Sequence, residues 1–180
     1  MKYQHGDIFG VPSYSFLGIA NSAIFSPHTD LYHFGIIADY IYDEEDYVIL
    51  ESSAKGISVG RLSWYQTYRV FRFADPEIAT LGVKACQKLT MYGRARYDYA
   101  LFLKIFIGCL TVWLGQILTG HKPTAIKPVQ LPYGVNSRFI CTEAANLAWK
   151  IVGYPIIPKD TIPLPAGFIK ALNNGLLVEI

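Results

Sequence analysis

Cys141 opens the run Cys141-Thr142-Glu143-Ala144-Ala145-Asn146-Leu147-Ala148-Trp149-Lys150, whose apolar residues recur at helical spacing. A cysteine at a helix N-terminus faces unpaired backbone N–H groups and the positive end of the helix dipole, and both stabilise a thiolate. A nucleophilic thiolate also needs a base, and the base needs an orienting group. His33 and Glu51 can supply the two. His33-Phe34-Gly35-Ile36-Ile37-Ala38 and Tyr47-Val48-Ile49-Leu50-Glu51 read as paired buried strands. Between them Asp43-Glu44-Glu45-Asp46 reads as a solvated acidic turn rather than a metal site. In a regular antiparallel hairpin, facing residues share one midpoint, and for His33 and Glu51 that midpoint is position 42, inside the loop. The two are therefore expected directly opposite each other on one sheet face, with Cβ atoms about 5 Å apart, provided no bulge intervenes.

The elements that must hold these groups follow from periodicity and punctuation. Gly6-Asp7-Ile8-Phe9-Gly10 reads as a short edge strand, and Pro12 to Asp30 as a long loop. Ile57–Val59 and Tyr68–Phe73 add two more strands, giving an antiparallel sheet of about five. Asp75-Pro76-Glu77 is a helix start, and one helix is expected from there to about Tyr92, ended by Gly93. Gly120 to Gly134, with three prolines, reads as a loop. The Cys141 helix should run to about Val152, and a short last helix spans Ala166–Leu172 within a Pro-rich tail. Strands first and helices after argue for an α+β fold.

With 180 residues, 52% of them apolar and 17% charged, the chain can bury a core as one domain over 1–180, which excludes a disordered or coiled-coil chain. A net charge of +2, with Lys84, Lys88, Arg94 and Arg96 read as one solvated helix face, gives no case for nucleic acid. Cys86, Cys109 and Cys141 are too few and too scattered for a disulfide framework or a zinc site, so Cys86 and Cys109 are read as core and a reducing compartment is expected. No apolar h-region follows Met1-Lys2-Tyr3, so a cytoplasmic location, or delivery without a signal peptide, is expected. Tyr99 to Leu118 has only Lys104 as a charged residue. It is read as a buried or surface-associated helix rather than a span, which leaves membrane-surface contact through 99–118 as an open partner reading.

The order Gly6-Asp7-Ile8, His33-Phe34-Gly35-Ile36, Glu51, Tyr97-Asp98 and Phe139-Ile140-Cys141-Thr142-Glu143 resembles the circularly permuted NlpC-type papain-like proteins, often called YiiX-like. Lecithin:retinol acyltransferase-like enzymes are relatives of that family. The resemblance spans nearly the whole chain from position 6, with Thr142 where the family usually has Ser and Tyr32 before the histidine. It implies a papain-like antiparallel sheet packed against helices, with Cys141 as nucleophile, His33 as general base and acid, and Glu51 as the group orienting the imidazole. Tyr97 and Asp98 either line a substrate groove or cap the following helix. No cofactor and no metal are called for. Three functions remain open: a cysteine amidohydrolase or peptidase, with cell-wall peptides among its candidate substrates; a thiol acyltransferase or lipid-directed hydrolase at a membrane surface; and a non-catalytic binding or structural protein that keeps the fold.

Overall fold

The computed structural model describes residues 2–12, 30–53, 56–93, 96–97, 99–120, 138–158 and 164–180. The chain is α+β. Strands β1 (Ile8–Pro12), β2 (Leu31–Ile41), β3 (Asp46–Ser53), β4 (Gly56–Arg61), β5 (Arg69–Phe73) and β8 (Leu177–Glu179) form one sheet in the order β4-β3-β2-β1-β5-β8. Every neighbouring pair in it is antiparallel. Two short strands, β6 (Arg96–Tyr97) and β7 (Arg138–Phe139), pair in parallel beside β4. The helices are α1 (Pro76–Ala79), α2 (Gly82–Thr90), α3 (Tyr99–Leu118), α4 (Cys141–Ile151) and α5 (Pro165–Asn173).

Alternation along the strands divides the core in two. Ile8, Phe34, Ile36, Leu50, Phe71 and Phe73 point to the face covered by α2, α4 and α5. Ala144, Ala145 and Ala148 let α4 approach the sheet closely, and Trp149 packs its ring 4.4 Å from that of Phe73. The opposite face carries Phe9, Val11, Ile37, Ile49 and Val70, closed by Tyr3 and Leu62 and by the half-buried Tyr32, Tyr47, Tyr65 and Tyr68. His33 and Glu51 share the parity of this second, tyrosine-rich face.

Several expectations are corrected. β1 is an interior strand, between β2 and β5, because β5 and β8 cover the edge it was expected to form. The helix expected from 75 to 92 is broken at Thr80–Leu81 into α1 and α2. The break brings Gly82 against the N-terminal turn, where an added Cβ would lie 1.8 Å from the His5 carbonyl oxygen, so only glycine fits. The acidic turn is solvated only in part: Asp43, Glu44 and Glu45 are exposed, whereas Asp46 is buried and accepts hydrogen bonds from Ser63 N–H and Ser63 Oγ.

The hairpin register differs as well. Glu51 faces Gly35, not His33, because the pairs beside the turn, Ile41–Asp46 to Asp39–Val48, centre between positions 43 and 44 rather than on 42; a bulge then follows between Ile37 and Asp39. Tyr40 faces Tyr47 and Asp39 faces Val48. Continued without a break, that register would set Glu51 opposite Ile36 and leave it and His33 on opposite faces of the sheet. The extra residue, Ala38, shifts the pairing by one and returns Glu51 to the face of His33, its diagonal neighbour.

The expected loops over Pro12–Asp30 and Gly120–Gly134 lie almost wholly outside the described residues. Tyr99–Leu118 is one helix of 20 residues, about 30 Å long. Leu103, Ile107, Leu114 and Ile117 on it are exposed. Among the described residues no helix is long and apolar enough to cross a membrane.

Gly35 sits where β2, β3 and the Phe9 ring meet, and a Cβ there would lie 2.4 Å from Phe9 Cε1 and 2.7 Å from the Leu50 carbonyl oxygen. Gly35→Ala is expected to destabilise the protein by about 1–3 kcal/mol through overpacking. A urea titration should show a lower midpoint at unchanged slope.

Candidate active site

The β2–β3 ladder ends at the pair Gly35–Glu51. Ile37 points its N–H and C=O toward β1, to Asp7 and Gly6. By alternation, Tyr32 and Phe34 point theirs the other way, toward β3, beyond the end of the pairing. Cys141 fills this opening. Its thiol lies 3.9 Å from the Tyr32 carbonyl oxygen, and the Phe34 and Thr142 N–H groups donate to the sulfur. The start of α4 thus stands where the β2–β3 pairing leaves off, while β3 itself continues to Ser53 beside β4.

Three further contacts hold the helix start in place. Glu143 accepts a 2.8 Å hydrogen bond from the Ile140 N–H, a capping arrangement that satisfies a donor ahead of the first turn. Asn146 Oδ1 accepts from the Ile157 N–H at 2.9 Å, and Trp149 Nε1 donates to the Gly6 carbonyl at 3.1 Å. Next to Gly6, Asp7 is buried and receives both Arg72 Nε, at 2.8 Å, and an Arg72 terminal nitrogen, at 2.6 Å. The Gly6-Asp7-Ile8 segment therefore locks α4 to β5.

His33 links the sulfur to the carboxylate. Its Nε2 lies 2.7 Å from Glu51 Oε2, which leaves Nδ1 for the hydrogen bond with the Cys141 thiol. Phe9, Tyr32 and Tyr65 pack around the imidazole at ring-centroid distances of 6.2, 6.2 and 5.7 Å. Burial disfavours the imidazolium. The hydrogen bonds and charges of Cys141 and Glu51 outweigh it and push His33 up to about 10. Burial likewise opposes ionisation of Glu51 and Cys141. Hydrogen bonding and charge from His33, with Tyr65 adding to the first and backbone N–H groups to the second, hold both below their ordinary values. The ionic form of the site is a thiolate, an imidazolium and a carboxylate in line.

The structure thus brings Cys141, His33 and Glu51 together. Tyr97 lies in β6, paired with Phe139 two residues before Cys141, while Asp98 lies outside the described residues. Sequence reading missed Tyr65, whose hydroxyl donates to Glu51 Oε2 at 2.6 Å, because it arrives from the turn after β4 with no motif of its own. It also missed the Phe34 N–H, a backbone group that no residue type announces. Cys86 is buried, donates to the Ile37 carbonyl oxygen at 3.3 Å, and is pushed up to about 12 by burial. Nothing is described around the side chain of Cys109.

No family model matches the chain, and no curated protein matches it. Among solved structures, the metalloprotein yiiX from Escherichia coli O157:H7 is similar to it with a TM-score of 0.57 and 14% identity, over 100% of this chain and 97% of that one. The likeness establishes a shared fold. That protein is called a metalloprotein; in this chain, among the described residues, no three His, Cys, Asp or Glu side chains group to hold a metal ion. The His33 ring stands between the thiol and the carboxylate and offers each a different nitrogen, so the three do not converge on one centre. The described donors do not fit a metal site.

Two outcomes follow. Iodoacetamide should alkylate Cys141 in the acid-to-neutral range, since its pKa is depressed and the imidazolium persists to about pH 10, while Cys86 stays inert; His33→Ala should move the Cys141 profile to higher pH. Glu143→Ala should lower stability by about 1 kcal/mol, read from denaturant unfolding, through loss of the cap.

Proposed function

We propose that the chain is a single permuted papain-like domain and a cysteine hydrolase of amide or other acyl substrates, using Cys141, His33 and Glu51. The observation that carries this reading is the imidazole held between a thiol and a buried carboxylate, with Nε2 bound 2.7 Å from Glu51 and the thiol pKa lowered. A core cysteine and a core histidine have no need of that arrangement; burial alone would push the thiol up, as it does for Cys86.

In this mechanism the Cys141 thiolate attacks the acyl carbonyl carbon and forms a C–S bond. The oxyanion draws hydrogen bonding from the Cys141 backbone N–H at the start of α4. The imidazolium gives its Nδ1 proton to the leaving amine or alkoxide as that bond breaks, which leaves a thioester. Water then attacks the thioester carbonyl, His33 accepts its proton, and the acid departs as the thiolate is restored. Glu51 fixes the tautomer and supports the cation. Tyr97, paired with Phe139 two residues before Cys141, is the substrate-binding candidate on this reading.

A second reading, a thiol acyltransferase or lipid-directed hydrolase, is favoured by α3. Its exposed Leu103, Ile107, Leu114 and Ile117 are spaced by four, seven and three residues and so fall on one helix face, and the helix begins two residues after Tyr97. On that reading an acyl acceptor replaces water in the second step and the stripe meets a lipid surface.

An electrophilic acyl probe, mapped by residue, tests both readings, since each requires labelling at Cys141. A panel of amide, ester and thioester substrates with and without vesicles then separates them. With the substrate found, Cys141→Ala and His33→Ala should each lower kcat/KM by about a thousand-fold or more, and Glu51→Gln by less. Labelling confined to other residues would leave only a binding role for the fold.

A further inference from the structure

Two donors meet on one oxygen of Glu51. His33 Nε2 reaches Oε2 at 2.7 Å, and the Tyr65 hydroxyl reaches the same atom at 2.6 Å. Tyr65 also packs its ring 5.7 Å from the His33 ring and 5.6 Å from the Phe9 ring. The position is built rather than incidental. Tyr65 ends a 3-10 turn over Leu62–Trp64 and donates its N–H to the Leu62 carbonyl at 3.0 Å. The buried Asp46 fixes that turn by accepting from Ser63 Oγ at 2.6 Å and from Ser63 N–H at 3.2 Å. Asp46 starts the strand that carries Glu51, so one strand holds both the carboxylate and the anchor of the tyrosine that meets it.

We propose that Tyr65 is a positioning residue of this site, which holds Glu51 as an oriented carboxylate and so sets the lower pH limit at which His33 and Cys141 work together. The proposal rests on the thiol reading of the preceding section. The physical reason is a shortage of solvent. Glu51 is buried, and a buried carboxylate stays ionised only while donors replace the lost water. His33 is one donor, but it must also exchange a proton with sulfur. Tyr65 is the second, and burial together with the Glu51 charge raises its own pKa, so it keeps its proton throughout the working range. Among the described residues, the titratable groups facing Glu51 are His33 and Tyr32 from β2, Tyr65 after β4, and Cys141 from α4. Among these Tyr65 alone donates to the carboxylate without taking part in the thiol–imidazole exchange.

The sign follows from the lost donor. In Tyr65→Phe the ring remains against Phe9 and His33, Glu51 keeps only His33, and its pKa rises toward or above the ordinary carboxylate value. A 13C titration of the Glu51 carboxyl in the full-length protein should show that rise, and the acid limb of Cys141 alkylation should move up by about one pH unit. Tyr65→3-fluorotyrosine, a stronger donor of nearly the same shape, should move both the other way, and it gives the answer if the phenylalanine variant folds poorly. In a Glu51→Gln background Tyr65→Phe should cause no further change in the alkylation profile, as required of a residue that acts through Glu51. Superimposable wild-type and Tyr65→Phe profiles, or an unmoved Glu51 titration, would overturn the proposal. A wild-type Cys141 that alkylates no faster than Cys86 would overturn the thiol reading and the proposal with it, an outcome visible before any Tyr65 variant is made.

Discussion

The extra residue at Ala38 governs the rest of the site. Without that bulge the β2–β3 register would set Glu51 opposite Ile36 and leave it and His33 on opposite faces of the sheet. With it, Glu51 joins His33 on the face whose tyrosines can donate hydrogen bonds. A bulge re-aims every side chain beyond it, because the side-chain period of a strand is two. One inserted residue therefore decides which of two dissimilar environments receives the acid.

The second constraint is where the ladder stops. Past Gly35–Glu51 the backbone groups of Tyr32 and Phe34 still point to the β3 side, but the pairing with β3 has ended. Buried backbone donors need partners. The Phe34 N–H finds one in the Cys141 sulfur, which it stabilises most when the sulfur is negative. The sulfur thus has donors from two directions, a strand edge and a helix N-terminus, in addition to the imidazole. Burial opposes each ion of the line, so the site depends on all of these donors being kept. The anchors of α4, from Trp149 to Gly6 and from Asn146 to Ile157, preserve that alignment at some distance from the chemistry.

The same logic explains why glycine recurs near the site. Gly35 lets Phe9 lie between the strands close to the His33 ring, and Gly82 lets the turn before Asp7 settle on α2. In both places the missing Cβ is what permits contact. The Asp7–Arg72 pair then fastens β1 to β5 across the face away from the helices, where a single unpaired charge would be costly.

Legible in the residues alone were the α+β class, the strand and helix segments of the hairpin and of α3, α4 and α5, and the choice of Cys141, His33 and Glu51 as side chains that would meet, as they do. These rest on local signals: apolar period, Asp-Pro and Gly punctuation, and a cysteine placed at a helix start. The expected register is wrong by two positions, although the two residues still share a face, since the centre of the turn and the compensating bulge have no residue-type signature and depend on the partner strand. One helix was expected in place of α1 and α2, because the close approach of Gly82 at the break is to His5, more than seventy residues away in the chain. The interior place of β1, the burial of Asp46 and the arrival of Tyr65 on Glu51 emerge from long-range packing alone. Each is set by contacts between segments distant in sequence, and such contacts leave no periodicity to read.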